Sequence, residues 1–303
     1  MEKKRPLYLD ALESGKLDDA IEALFAVLEH CELCPRECGV NRLKGERGYC
    51  RSTAELVVSS IHPHFGEESV LVGVFGSGTV FLTNCNLGCV FCQNYEISHL
   101  GYGRVMSEEK LAEGMLSLQR QGCHNINFVT PTHFVPQILK AVKIAAERGL
   151  KVPLVYNCGG YESVKTLKLL DGIIDIYMPD IKYSSAENAK KYSNAEDYWE
   201  VCKRAVKEMH RQVGDLKVDE RGIAYRGLII RHLVLPNGLA GTEEVMRFIA
   251  EEISRDSYVN VMAQYRPMFK AYEYEELSRP IKMSEYKAAL EIAKKYGLHR
   301  FAD

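Results

Sequence analysis

The stretch Thr83-Asn84-Cys85-Asn86-Leu87-Gly88-Cys89-Val90-Phe91-Cys92-Gln93-Asn94 decides how the rest of the chain is read. Its three cysteines stand in a C-x3-C-x2-C spacing, directly after an apolar run, Thr79 to Leu82, of strand character. A loop this short brings three thiolates to one metal centre and leaves no fourth in reach. A cubane of four irons held this way keeps one iron without a protein ligand, a place for substrate or cofactor. A structural zinc site closes with four ligands, and none of the next few residues is Cys or His. The alternative, three buried thiols packed as small hydrophobes, fits poorly with three cysteines in eight residues.

Upstream, Cys31-Glu-Leu-Cys34-Pro-Arg-Glu-Cys38 is followed by Cys50, after Gly45, Gly48 and Tyr49. This C-x2-C-x3-C-x11-C pattern offers four thiolates, enough for a tetrahedral zinc site or a second iron–sulfur cluster, and the sequence does not separate the two. Free thiols on a loop would be an oxidation liability. A bound metal would also explain how a segment rich in glycine and charge holds a shape. The chain has ten cysteines, and its charged start, Met1-Glu-Lys-Lys-Arg5, leads into no signal-peptide core. A cytoplasmic location follows as the expectation, and there clustered cysteines point to metals or catalysis rather than disulfides.

At 303 residues the chain accommodates one large domain or a domain with an appendage. No run approaches the roughly 18 apolar residues of a membrane span, and a net charge of -2 makes no case for a nucleic-acid surface. Residues 16–30 carry Ile21, Leu24, Phe25 and Leu28 at helical spacing. Ala54 to Ile61 has strand character, and His62-Pro-His64-Phe-Gly-Glu67-Glu68 follows as a polar loop. From Thr79 onward, strand-like runs alternate with helical patterns. The strands are Val80–Thr83, Ile126–Val129, Pro153–Tyr156, Ile173–Met178, Leu228–Val234 and Tyr258–Met262. Helices open at Ser107, Pro136, Thr242 and Ser284, and Gly122, Gly149 and Gly297 close three of them. Unbroken apolar strands between helices predict a parallel sheet covered on both faces, and six such units suit a partial (β/α)6 barrel. The expected division is an N-terminal helix and four-cysteine extension over 1–75 and the barrel over 76–303.

Reactive groups of parallel α/β folds gather at the carboxyl ends of the strands. Those ends carry, in order, the three cysteines, Thr130-Pro131-Thr132-His133, Asn157-Cys158-Gly159-Gly160-Tyr161-Glu162, Asp180-Ile-Lys182, Arg231-His232 and Gln264-Tyr265. One polar residue after a strand is ordinarily a cap or turn; six sets in register make a site. Cys123 and Cys202 fall in helical patterns as core thiols, whereas Cys158 ends a strand. Tyr161, Tyr183, Tyr265 and Tyr272 are rim tyrosines, packed with a wet hydroxyl or lining a substrate mouth.

The cysteine spacing, with the aromatic Phe91 before its last member, resembles the signature of the radical S-adenosylmethionine (SAM) superfamily. That resemblance implies a TIM-like partial barrel with a [4Fe-4S] cluster on Cys85, Cys89 and Cys92, and SAM chelating the open iron. One electron from the cluster would split SAM to methionine and a 5′-deoxyadenosyl radical that abstracts hydrogen from a substrate. The motifs Gly76-Ser-Gly-Thr79, Asn125 to His133, Val155 to Tyr161, Asp175 to Lys182 and Arg231 to Pro236 look like the pyruvate formate-lyase activating enzyme group. They are most similar to a branch that also carries the N-terminal cysteine knuckle. The resemblance implies that Asp180 lies by the methionine end of SAM, that Lys182 contacts its carboxylate, and that Arg231 and His232 surround carboxylate and ribose. Asn157 and Cys158 stand where the group often has Asp and Thr, which argues against a monovalent cation site. Thr130 and Thr132 stand where many members carry a Gly-Gly-Glu that holds the SAM amino group. The implied partners are a glycyl-radical enzyme or another protein substrate, and a flavodoxin or ferredoxin as electron donor. The alternatives are a small molecule, another protein side chain or RNA as target, or a zinc-stabilised binding module without turnover. The sequence assigns no catalytic acid or base.

Overall fold

The structure is a computed structural model and describes residues 5–302; Met1 to Lys4 of the charged start and Asp303 lie outside the described residues. The strands are β1 (Val57–His64), β2 (Ser77–Leu82), β3 (Arg104–Val105), β4 (Ile126–Val129), β5 (Leu154–Cys158), β6 (Ile176–Pro179), β7 (Lys217–Val218), β8 (Ala224–Leu233), β9 (Tyr258–Met262) and β10 (Arg300–Phe301). They form one sheet in the order β10-β9-β8-β6-β5-β4-β2-β1-β3, with β7 paired to β8. Neighbours from β2 through β10 run parallel, and β1 is antiparallel to both β2 and β3. The six strands expected from the sequence are β2, β4, β5, β6, β8 and β9. Among the described residues the ends of this path do not pair, so the curved α/β sheet stays open.

Helices cover the outer face because their apolar stripes match it. Glu108–Arg120 is capped by Ser107, whose Oγ accepts from Lys110 N at 3.3 Å, and it buries Leu111, Ala112, Met115 and Leu118. Each of the larger three contributes roughly 1.5–3 kcal/mol by leaving water. Val135–Glu147 packs beside it, followed by Gly149 at φ +96°. The N-terminal helices Leu7–Glu13 and Lys16–Ala26 lie on Val135–Glu147 and share its core. The inner face is filled low down by Leu71, Val155, Ile176, Met178, Ile229 and Tyr258 and turns polar above them. No helix among the described residues is long and apolar enough to cross a membrane.

One segment differs from its expected form. His62-Pro63-His64 continues β1 instead of forming a loop, with His62 opposite Thr79 and its ring stacked 5.4 Å from Phe81. Pro63 is tolerated because β3 pairs only with Val57 and Val58, leaving the outer edge there without a ladder partner. The next residues, Phe65 to Glu68, send two carboxylates onto the inner face of the sheet: Glu67 reaches Arg231, and Glu68 Oε1 accepts from Asn260 Nδ2 at 2.8 Å.

Candidate active site

The loop after β2 carries Cys85, Cys89 and Cys92 to the rim of the sheet, and two joined cavities open beside it. One is a cleft of about 360 Å³ that extends to His64, Glu67, Phe81 and Met262. The other, of about 130 Å³, lies behind Cys85 and Thr130. Their walls have in common Cys89, Cys92, Asn157, Asp180, Lys182 and Arg231. A wider hollow of about 560 Å³ lies on the outer wall between helices Val164–Leu169 and Tyr198–Val213. It holds none of the cysteines, and several of its cations are already paired: Arg211 with Asp171 and Glu208, Lys207 with Glu252.

The polar wall is an ion cluster at the strand ends. Asp180, just past β6, bridges to Arg231 of β8 through the backbone. Its Oδ1 accepts from Arg231 Nε at 2.7 Å and its Oδ2 from Lys182 Nζ at 2.6 Å. Arg231 Nη2 donates to Asn157 Oδ1 at 2.6 Å, and Nη1 to Glu67 Oε2 at 3.3 Å. Burial would push the Asp180 carboxyl up, but the Arg231 and Lys182 charges outweigh it and hold it below the usual range. Burial likewise opposes the charge on Lys182, and Asp180 with Cys89 overcomes it, so the ammonium is held on. The wall therefore presents fixed charges of both signs, as a zwitterionic ligand requires.

Thr130 lines the smaller cavity with φ at +58°, the left-handed region, which a β-branched residue enters only when its surroundings hold it there. Its N–H donates to Asn157 O at 2.8 Å. Gly160 is required behind the wall: at φ +76° a Cβ would stand 2.4 Å from Asp180 O.

Two of the residues expected at SAM do not line either cavity. His232 follows Arg231 on β8, and successive residues of a strand face opposite sides. The His232 ring points into the outer layer, Nδ1–H donating to Ile181 O at 2.8 Å and Nε2 accepting from Thr242 Oγ1 at 2.9 Å. Burial pushes its pKa down to about 4, so the ring is neutral near pH 7. Thr132 is also in the outer layer, its hydroxyl donating to Glu162 Oε1 at 2.7 Å. Burial pushes Glu162 up to about 7. Of the rim tyrosines, Tyr161, Tyr183 and Tyr265 are buried, and Tyr272 is exposed. Cys158 lines the smaller cavity, whereas Cys123 and Cys202 are core thiols.

The three cysteines suit an iron–sulfur cluster by their chemistry. Leu87 N donates to Cys85 Sγ at 3.3 Å, Ser193 Oγ to Cys89 Sγ at 3.0 Å, and the Ser98 hydroxyl lies 3.1 Å from Cys92 Sγ. Burial pushes all three thiols up, while the Lys182 charge draws each one down. Each sulfur thus faces a donor suited to a thiolate. Among the described residues no three Cys, His, Asp or Glu side chains converge on a single metal ion. A cluster does not need this of Cys85, Cys89 and Cys92, because each thiolate takes a different iron. In the N-terminal knuckle, burial pushes the Cys34 thiol up, and Cys38 Sγ accepts from Tyr49 N at 3.3 Å.

Residues 79–218 match the family model described as the radical SAM superfamily. The chain belongs to the radical SAM superfamily. Membership implies a [4Fe-4S] cluster, SAM, and radical chemistry begun by SAM cleavage. The chain is 34% identical over 304 residues to "Uncharacterized protein MJ0674" of Methanocaldococcus jannaschii, covering 97% of this chain and 83% of that protein. It is 23% identical over 265 residues to "Uncharacterized protein MJ0808" of the same organism, covering 79% and 71%. Neither name states an activity or a family.

Sequence reasoning did not find Ser98 and Ser193 as partners of the cysteines. Ser193 comes 101 residues after Cys92 and carries no motif. Glu67 stood in a stretch the sequence marked as polar loop; nothing local announces its reach across the barrel.

Proposed function

We propose that Cys85, Cys89 and Cys92 hold the cluster, and that SAM lies in the adjoining cleft against Asp180, Lys182, Arg231, Asn157 and Thr130. The observation that carries this reading is the shared boundary of the two cavities, with cysteine sulfurs on one side and the ion cluster on the other. Lys182 and Arg231 are placed to meet a carboxylate, Asp180 to meet an ammonium or sulfonium, and the Thr130 turn to offer backbone oxygen. When bound, the cluster and SAM supply a 5′-deoxyadenosyl radical; the chain's own residues bind, orient and exclude water. The target we propose is a protein backbone glycine, as in activation of a glycyl-radical enzyme. Support for it comes from the set of strand-end motifs similar to that activating group. For the knuckle we propose a zinc ion or a second iron–sulfur cluster on Cys31, Cys34, Cys38 and Cys50, supported by the spacing of the four cysteines; in this structure no three of them converge on a single ion.

The test is 5′-deoxyadenosine formation from SAM by protein reconstituted anaerobically with iron and sulfide and reduced with dithionite. Wild type is expected to cleave SAM, and Cys89→Ala to lose cluster iron and cleavage together. Iron-loaded wild type that never cleaves SAM, with or without a partner protein, would overturn the reading. Appearance of a protein-based radical signal in a co-incubated glycyl-radical enzyme would establish the target; cleavage without it would move the target to another substrate.

A further inference from the structure

The N-terminal extension touches the cysteine loop at points that bear directly on the sulfurs. Arg36 sits inside the knuckle, between Cys34 and Cys38, and its guanidinium lies 3.8 Å over the Tyr49 ring and 5.1 Å from that of Tyr161. It donates to the carbonyls of Asn86 at 2.9 Å and Leu87 at 3.3 Å, inside the span from Cys85 to Cys89. It also donates to the carbonyls of Ser193, at 3.2 Å, and Asn194. Ser193 ends the helix Ala186–Ser193, and Asn194 follows in the left-handed conformation. The last carbonyls of a helix lack partners and carry partial negative charge, so a guanidinium fork there both caps and fixes the helix end. The hydroxyl of that same Ser193 accepts from Tyr183 OH at 2.9 Å and donates to Cys89 Sγ.

The second contact repeats the first with different residues. Arg51 directly follows Cys50 of the knuckle. Its guanidinium donates to the carbonyl of Ser98 at 2.7 Å and to that of His99. Ser98 closes the helical turn Tyr95–Ser98, and its hydroxyl faces Cys92 Sγ. Tyr49 OH adds a bond to Leu87 O at 2.8 Å, and Asn84 Nδ2 one to Ser52 Oγ at 3.0 Å. Two arginines, each within two residues of a knuckle cysteine, therefore hold the carbonyls of the two serines whose hydroxyls face cluster cysteines.

We propose that the N-terminal extension tunes the cluster: Arg36 and Arg51 are positioning residues that aim Ser193 and Ser98 at Cys89 and Cys92. The proposal rests on the reading that these cysteines hold the cluster. Reduction adds negative charge to the cluster, and hydrogen bonds to its sulfurs stabilise the more negative form. Losing that aim shifts the potential to more negative values and makes the cluster harder to reduce. The knuckle cysteines, whatever they bind, set where both arginines start from.

The test is a redox titration of the reconstituted full chain followed by electron paramagnetic resonance, with iron content measured in parallel. Arg36→Ala and Ser193→Ala are each expected to lower the reduced-to-oxidised ratio at a fixed potential by about tenfold, a shift of about 59 mV for a one-electron couple. Because Arg36 acts through Ser193, the double variant is expected to move no further than Ser193→Ala alone. Arg51→Ala with Ser98→Ala forms a second, independent cycle with the same expectation. Arg36→Lys keeps the charge but not the fork, and is expected to recover only part of the shift. Iron-loaded Arg36→Ala and Arg51→Ala that titrate at the wild-type potential would overturn the proposal, as would full additivity in both cycles. Should Arg36→Ala not fold, the Arg51–Ser98 cycle decides. Failure of wild type to load a cluster defeats the proposed function instead; a loaded, SAM-cleaving enzyme with unmoved potentials defeats this inference alone.

Discussion

The polar wall of the cleft and the cysteine loop facing it are held by different means. Asn157 stands on β5 and Arg231 on β8, with Asp180 just past β6 between them, on strands spaced about 4.8 Å apart in the hydrogen-bonding direction, and Arg231 donates directly to both Asp180 and Asn157. The cysteine loop has no such frame. Its sulfurs and carbonyls are met by Ser98, Ser193, Arg36, Tyr49 and Arg51, which come from three separate parts of the chain. A wall built on a ladder fails when one of its charges loses its partner. A loop held from outside depends also on residues, Arg36, Tyr49 and Arg51, that bond to its carbonyls rather than to its cysteine sulfurs.

The most direct way to break this comparison is to remove the wall's central anion. Asp180→Ala leaves Lys182 and Arg231 buried without their main partner and is expected to destabilise the fold by about 3–5 kcal/mol in urea denaturation. If Asp180→Ala matched wild type, the ion cluster would be irrelevant to the fold. The same carboxylate has a pH signature. Its folded pKa is depressed, so its contribution is present above the unfolded value of about 3.9 and is lost as pH falls through the lower folded value. Asp180→Asn is expected to lack that acid-side loss.

Glu162, behind the wall, has the opposite sign. Burial raises its pKa from 4.5 to about 7, so the folded state retains a proton that the unfolded state has released. Stability therefore falls as pH rises from about 4.5 to 7, by about 3 kcal/mol from this group. Glu162→Gln is expected to remove that slope, measured as the difference between variant and wild type across the window. An unchanged slope would place the protonation elsewhere, for instance on Asp175, also raised to about 7 by burial.

The two faces of β8 supply a smaller effect. His232→Ala strands the Ile181 carbonyl and the Thr242 hydroxyl and is expected to lose about 1–3 kcal/mol of stability while SAM affinity by equilibrium dialysis stays near wild type. Arg231→Lys is expected to weaken SAM binding, since a point charge replaces a fork. Equal losses of affinity would put both faces at the ligand. Smallest of all, Thr130→Asn is expected to stabilise the protein by about 0.5–1 kcal/mol, because Asn tolerates the left-handed conformation. Thr132→Asn, which puts a larger amide in place of the fully buried hydroxyl that donates to Glu162, is expected to destabilise it; the same sign at both positions would show that backbone strain at Thr130 is not the deciding difference.

Regular structure and single-position chemistry were legible in the sequence. The six parallel strands show as apolar runs between capped helices, and the cysteine spacing points to an iron–sulfur cluster without help from tertiary structure. The strand ends were legible as a set, but two of their members were not. Adjacent residues on a strand take opposite faces, so Arg231 and His232 could not both face the cavity, and the pair had to be divided by structure. Thr130 and Thr132 parted because a short turn carries the second back into the helix layer. What stayed hidden was everything set by long-range approach: Glu67 crossing the barrel to Arg231, and Ser193 arriving beside Cys89. Neither has a local pattern, since their neighbours in space are remote in sequence.

Ser193 also has a consequence for biosynthesis. Cys85, Cys89 and Cys92 have all been synthesised by residue 92, but the hydroxyl that faces Cys89 belongs to a helix completed 101 residues later. The arginine that fixes that helix end, Arg36, has by then long been available. A nascent chain thus displays its three thiols well before their surroundings exist, and at translation rates of about 5–20 residues per second that interval lasts about 5–20 s. On the proposed reading of these cysteines, the hydrogen bond that Cys89 receives from Ser193 can form only once the middle of the polypeptide has been made.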